Sequence, residues 1–237
     1  MSKVIDFHSH MLPGIDDGSR DTDMSIAMLR AAHAQGIEVQ VLTPHFYRWK
    51  EDIPSFIQRR TESAKRLAAR LPDDVPQLLL GAETAFFPHM SETDLSPLCI
   101  GDTNVLLVEM PFESWHGSVT DEITSLCLDR GYRVVLAHVE RFLSYKGNAE
   151  ILEKLLRLPL RMQANAEIFL RFLSRGKALR LIDGGMVTIL GSDAHNLTDR
   201  APNLGEARRV IEKRLGPDTL ASLDRASTAL LKGAIEA

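Results

Sequence analysis

The sequence predicts an α/β fold in which parallel strands close, or nearly close, into a (β/α) barrel with its functional groups at one mouth. Three observations lead there. Apolar runs of strand length recur seven times along the 237 residues, segments of helical periodicity fall between most of them, and a residue able to bind a metal ion stands at the end of six of the seven runs. Strand–helix alternation implies parallel neighbours, because a parallel pair needs a crossover connection. An open doubly wound sheet satisfies the same pattern.

The elements follow in order. Strands are expected at Val4–Phe7, Val39–Leu42, Leu78–Gly81, Val105–Val108, Val134–Ala137, Arg161–Ala164 and Val187–Leu190. The first helix starts from an N-cap region at Ser19-Arg20-Asp21. It carries Met24, Ala27, Met28, Ala31 and Ala32 at helical spacing, and Gly36 stands where a C′ glycine ends it. A second amphipathic helix is expected over Phe56–Leu71, stopped by Pro72. Further helices are expected at Val119–Asp129, Ala149–Leu156, Ile168–Leu181, Leu204–Leu215 and Leu220–Lys232. No linker, low-complexity stretch or repeat divides the chain, so residues 1–237 are expected to form a single domain.

Composition narrows the function. A net charge of −4 argues against a nucleic-acid binder that works through a broad basic face. No apolar run approaches the roughly 20 residues of a membrane span, and Met1-Ser2-Lys3-Val4 does not resemble the start of a signal peptide. The expectation is a cytoplasmic protein. Cys99 and Cys127, the only cysteines, are expected to be reduced packing residues; neither lies in a C-x5-R phosphatase loop.

The strand ends carry the chemistry. Strand 1 runs into Asp6-Phe7-His8-Ser9-His10, strand 2 into His45, strand 3 into Glu83, strand 4 into Glu109, strand 5 into His138 and strand 7 into Asp193-Ala194-His195; strand 6 ends at Asn165. Catalytic groups of parallel α/β folds gather beyond the carboxyl ends of the strands, so these scattered residues should converge. A lone histidine at a strand end is ordinarily a hydrogen-bonded structural residue. Here five of eight histidines occupy such ends and carboxylates occupy two more. Alternation should turn Asp6, His8 and His10 to one face, with Asp6 orienting an imidazole. With Asp17 the set numbers nine: His8, His10, Asp17, His45, Glu83, Glu109, His138, Asp193 and His195. Nine imidazole and carboxylate groups without a thiolate suit two or three divalent ions, manganese, iron or zinc, rather than one structural zinc. His33 is expected at the surface or in helix packing, and His89 and His116 in loops, exposed to solvent in preference to facing substrate.

His8-Ser9-His10, the turn Asp16-Asp17-Gly18-Ser19 and the closing Ser192-Asp193-Ala194-His195 resemble the motifs of the PHP (polymerase and histidinol phosphatase) superfamily. The run from Ile5 through Ser19, together with Thr43-Pro44-His45, Gly81-Ala82-Glu83, Ala137-His138-Val139-Glu140-Arg141 and Ser192 through Leu197, is similar to the bacterial CpsB/YwqE-like tyrosine phosphatases of capsule and exopolysaccharide operons. The resemblance spans essentially the whole chain. It implies a distorted (β/α)7 TIM-like barrel, a three-metal centre often described with manganese, and dephosphorylation of tyrosine-phosphorylated proteins. The implied partner is a bacterial tyrosine kinase of polysaccharide export with a tyrosine-rich tail. It selects Asp17 over Asp16, because Asp17 directly precedes the glycine, and places Arg141 and Arg200 where relatives hold substrate phosphate.

Clustered divalent ions suit phosphate ester hydrolysis: they lower the pKa of a bridging water, bind phosphoryl oxygens and fix the nucleophile in line. Arg141 and Arg200 would clamp the remaining oxygens. Nine of the 14 aromatics (Phe46, Tyr47, Trp49, Phe86, Phe87, Phe112, Trp115, Phe142 and Tyr145) follow the strands, so an aromatic mouth is expected. Competing readings are a small-molecule phosphatase acting on histidinol phosphate or a nucleotide, a metal-dependent amidohydrolase, and a non-enzymatic binding module. The amidohydrolase is disfavoured by Glu109, where that class usually offers a lysine.

Overall fold

A computed structural model describes residues 2–236. Its strands are β1 (Ile5–Asp6), β2 (Val39–Leu42), β3 (His45–Phe46), β4 (Gln77–Leu80), β5 (Glu83–Ala85), β6 (Val105–Glu109), β7 (Arg133–Leu136), β8 (Arg161–Asn165) and β9 (Ile189–Gly191). All pair in parallel, in the orders β1-β2-β4 and β3-β5-β6-β7-β8-β9. The two runs belong to one curled sheet. β3 continues β2 past Thr43-Pro44, and β5 continues β4 past Gly81-Ala82, with the ladder carried over both breaks by Gly81 N–H to Leu42 O and Glu83 N–H to Pro44 O. Seven strand positions result. Phe7 N–H to Leu190 O, Asp193 N–H to His8 O and His10 N–H to Ala194 O join the first position to the last and close the barrel.

Strands sandwiched on both sides should be apolar on both faces, and β6 is: Val105 and Leu107 join an inner cluster, Leu106 and Val108 an outer one. The outer cluster lies under the helices α1 (Thr22–Ala34), α2 (Ile53–Ala68), α3 (Gly117–Leu128), α4 (Asn148–Leu155), α5 (Glu167–Leu170), α6 (Phe172–Asp183) and α7 (Leu204–Leu215). The inner cluster fills the barrel where the strands begin. There α8 (Pro217–Ile235) contributes Leu230, Leu231 and Ile235 against Ile5, Val39, Leu79 and Val105. With α8 packed at that end, the opposite mouth is left for chemistry.

Local signals explain most boundaries. Asp21 caps α1 by accepting from Met24 N–H, and Gly36 follows the helix with φ of 86°. α2 begins three residues earlier than expected, because Asp52 caps it and Pro54 suits its first turn. It ends at Ala68, short of Pro72. The helix expected over Ile168–Leu181 is two helices, because Arg171 adopts extended backbone between α5 and α6. The crossover from β5 to β6 holds only two short 3₁₀ turns, Met90–Glu92 and Ser96–Leu98.

Candidate metal centre

Short outer hydrogen bonds aim the imidazoles. His10 Nδ1 lies 2.8 Å from Asp16 Oδ2, His8 Nδ1 3.2 Å from the Gln163 carbonyl oxygen, and His195 Nδ1 2.9 Å from the backbone oxygen of Asp193. Each acceptor takes an Nδ1 proton, so each Nε2 turns a lone pair inward. There His8 Nε2 and His10 Nε2 stand 3.1 Å apart. Glu83 Oε2 is 3.3 Å from both, and Asp193 Oδ1 is 3.6 Å and 3.4 Å away. Two lone pairs and two carboxylate oxygens thus converge.

The other groups complete the ring. Asp17 Oδ1 is 3.4 Å from His195 Nε2 and 3.5 Å from His45 Nε2. His138 Nε2 is 2.8 Å from Glu83 Oε1 and 3.3 Å from Glu109 Oε1. His45 Nδ1 lies 2.8 Å from Glu83 Oε2, yet these atoms and His195 Nε2 are buried without a hydrogen-bond partner. Three groups with ligand atoms in reach of a common ion emerge: His10, Asp17, His45 and His195; His8, His10 and Asp193; His45, Glu83 and Glu109. His138 adjoins the third through both glutamates. All nine sequence-predicted groups therefore meet. Asp17 alone is largely exposed, at 65%, on the rim.

Electrostatics favour positive charge here. Burial pushes Glu83 up, but His8 and His45 outweigh it and hold this carboxyl well below the usual range. Asp193 behaves alike, with burial opposed by His8 and His10. The hydrogen bond from His195 lowers Asp17. Burial opposes charge on His10, yet Asp16 raises its pKa well above the ordinary value. Burial likewise opposes charge on His138, and Glu109 and Glu83 raise it to about 9. Ionised acids, buried imidazole nitrogens without a hydrogen-bond partner and inward-turned Nε2 atoms that give up their protons to a metal are what a divalent cation requires, so the residues fit the ions that the strand ends imply.

Asp193 has two faces. Its Oδ1 turns to the imidazoles, while Oδ2 receives Arg141 Nη2 at 2.8 Å, Arg200 Nη2 at 2.9 Å and Asn165 Nδ2 at 2.7 Å. The two arginines make no other side-chain hydrogen bond among the described residues, and they line one cleft with Asn165 and Ser192. Asp193 and His138 have positive φ, 53° and 29°, a strained backbone of the kind found at functional sites.

Three features depart from expectation. Asp6 orients no imidazole: β1 ends at that residue, and its Oδ1 accepts from the backbone N–H of His8 and of Ser192. Asp16 does that work for His10 instead. Asn165, at the strand end without a ligand, anchors Asp193. It also links through Gln163 to His8, because Gln163 Nε2 donates to Asn165 Oδ1 at 2.9 Å. An amide in mid-strand gives no sequence signal of such a role; the paired acids Asp16-Asp17 gave a partial one. The aromatic mouth is thinner than expected. Phe46, Phe87, Trp115 and Phe142 are buried core, whereas Trp49 and Phe112 are exposed and Tyr47 is half-buried. Tyr47 stacks on His45 with centroids 5.0 Å apart, and Phe112 on His138 at 6.0 Å. His33, His89 and His116 are exposed, as expected. Burial raises the pKa of Cys99 to about 12 and of Cys127 to about 11, so neither is a ready thiolate.

Comparison with known proteins agrees with this geometry. A tyrosine-protein phosphatase YwqE of Bacillus subtilis is 33% identical over 97% of this chain and 92% of its own length. A tyrosine-protein phosphatase CpsB of Streptococcus agalactiae is 26% identical over 91% of this chain and 92% of its own. A crystal structure from work on YwqE of B. subtilis and CpsB of Streptococcus pneumoniae, described as metal-dependent tyrosine phosphatases, superposes with a TM-score of 0.84 at 28% identity, covering 96% of this chain and 94% of that one. The profile "Capsular polysaccharide synthesis, CpsB/CapC" matches residues 4–231, a span that holds every residue of the cluster, and the chain belongs to that family.

Proposed function

We propose that this protein is a metal-dependent phosphomonoester hydrolase that removes phosphate from tyrosine on proteins of a capsule or exopolysaccharide kinase system. The observation that carries the reading is the convergence of His8 and His10 Nε2 with Glu83 and Asp193 oxygens. His8, His10, Asp17, His45, Glu83, Glu109, His138, Asp193 and His195 would hold two to three divalent ions, manganese foremost, with iron or zinc as alternatives. When bound, such ions supply an activated water near neutral pH and positive charge against phosphoryl oxygens.

The chain's own groups do the rest. Arg141 and Arg200 meet at one carboxylate oxygen of Asp193, so both guanidiniums stand at the edge of the cluster and take the substrate's remaining oxygens. Phe112 over His138 and Tyr47 over His45 offer ring faces on two sides of the site, which suits an aryl phosphate. A phenol leaves more easily than an alkoxide and needs less help from a general acid. A groove of about 660 Å³ runs from Asp17 past Arg20, Met24, Asn196 and Leu197, room for polypeptide beside the reacting residue. The partner is a tyrosine-phosphorylated protein, a bacterial tyrosine kinase of polysaccharide export. No described helix is long and apolar enough to cross a membrane, and the proposed location is the cytoplasm.

Metal analysis of the purified protein beside a turnover panel tests this reading. Phosphotyrosine peptide should outrun histidinol phosphate and nucleoside monophosphates. Its trailing far behind them would assign a small-molecule substrate. Activity on amides or lactones alone would move the protein to the amidohydrolases. His8→Ala should lower turnover by about 100-fold or more while folding is retained; normal turnover in that variant would remove the cluster from the mechanism.

A further inference from the structure

Phe172 and Leu173 are the two most exposed large apolar side chains among the described residues, at 86% and 94%. They open α6, directly after the extended residue Arg171. The knuckle is held in place rather than loose. Phe169 anchors the preceding turn in the core, Arg175 Nε and Nη2 bond the carbonyls of Phe169 and Leu170, and Ser174 Oγ bonds the carbonyl of Ile168. A fixed backbone thus presents two adjacent apolar groups to solvent, which soluble surfaces seldom do without a purpose.

The surroundings are cationic. Leu173, Lys177 and Arg180 fall at helical spacing along one exposed stripe of α6. Arg180 leans back toward the knuckle: the nearest atom to a β-carbon at Gly176 would be its Nη1, 3.8 Å away. Arg171 and Arg175 flank the same turn. From 167 to 183 the acids are Glu167, paired with Arg171, and Asp183 at the far end of α6, against Arg171, Arg175, Lys177 and Arg180. This positive patch stands on a chain whose net charge is −4, so the attraction is local.

We propose that the Phe172–Leu173 knuckle, ringed by Lys177 and Arg180, docks the protein on the surface of an anionic lipid bilayer. Two adjacent exposed apolar groups on a tethered turn suit insertion among acyl chains, and the cations along the same helix suit acidic headgroups. A protein ligand would more often be met by a groove. α5 and α6 follow β8, whose Asn165 holds Asp193, so docking would set the metal-site mouth beside the membrane. On the phosphatase reading, the substrates it reaches are then phosphorylated segments near the bilayer.

Sedimentation of the full chain with vesicles tests the proposal without reference to catalysis. Vesicles of phosphatidylcholine with added phosphatidylserine should retain the protein, and retention should weaken with salt. Phosphatidylcholine alone should retain little. F172S/L173S and, separately, K177E/R180E should each weaken retention by about tenfold or more, with melting temperature unchanged because both pairs are exposed. No retention of the wild type, or equal retention of the variants, overturns the proposal. So does a wild-type oligomer that F172S/L173S dissolves in the absence of lipid binding, which would give the knuckle to a second copy of the chain.

Discussion

Asp16 and Asp17 are neighbours with different duties. Asp17 aims Oδ1 at His45 and His195, whereas Asp16 accepts from His10, from the backbone N–H of Gly18 and from that of His45. Asp16 therefore sets the tilt of one imidazole and the shape of the turn around it. Asp16→Asn should reduce metal affinity or turnover by about 10–100-fold, a typical loss when such an orienting partner goes. Titration of the metal-free variant with manganese, set beside wild type, checks this; wild-type affinity and turnover would make Asp16 a mere turn residue. At this scale the sequence was most legible for groups with donor atoms at strand ends, and all nine candidate groups lie in one cluster. It misled at Asp6, where alternation assumed that β1 continued, and it was silent on Gln163, whose amide gains meaning only from the two histidines it touches.

Elements approach one another through glycine at the centre. On β9, a β-carbon at Gly191 would lie 2.6 Å from His8 Cβ and 3.0 Å from Gln163 Nε2; at Gly18 it would collide with the His10 carbonyl. Both glycines let a loop or strand press against the backbone that carries His8 and His10. Gly191→Ala should displace His8, lower turnover by about tenfold or more, and destabilise by roughly 1–3 kcal/mol, as overpacked interiors do. Kinetics with thermal melting would show this, and an unchanged enzyme would mean that β9 can slide. Most of the seven strand positions were legible as apolar runs because strands such as β2 and β6 are buried on both faces. The breaks within the second and third were not, since the hydrogen-bond ladder continues across Thr43-Pro44 and Gly81-Ala82 while the chain bends. The break at Arg171 was hidden in the same way: helical periodicity runs on through it.

For the molecule as a whole, stability should come from two sources. α8 packs against the inner cluster, so Leu231→Ala should cost about 2–5 kcal/mol by opening a cavity there. Denaturant unfolding would register it, and a loss under about 1 kcal/mol would mean that α8 is not part of the core's support. The second source is the cluster of acids and imidazoles at the opposite mouth. An ion that binds the folded cluster and not the unfolded chain adds stability by mass action, so a chelator should lower the melting temperature, and a thousandfold excess of ion over its dissociation constant would restore about 4 kcal/mol. A melting temperature indifferent to chelation would mean the cluster is stable without cations.

Barrel closure joins the first strand position to the last in a way that also orders folding. Phe7 pairs with Leu190, and His8 with Asp193, across more than 180 residues of intervening chain. Contacts of such separation form late. A folding chain therefore holds His8 and His10 apart from Asp193 until the last strand docks, and the cluster assembles only as the barrel closes.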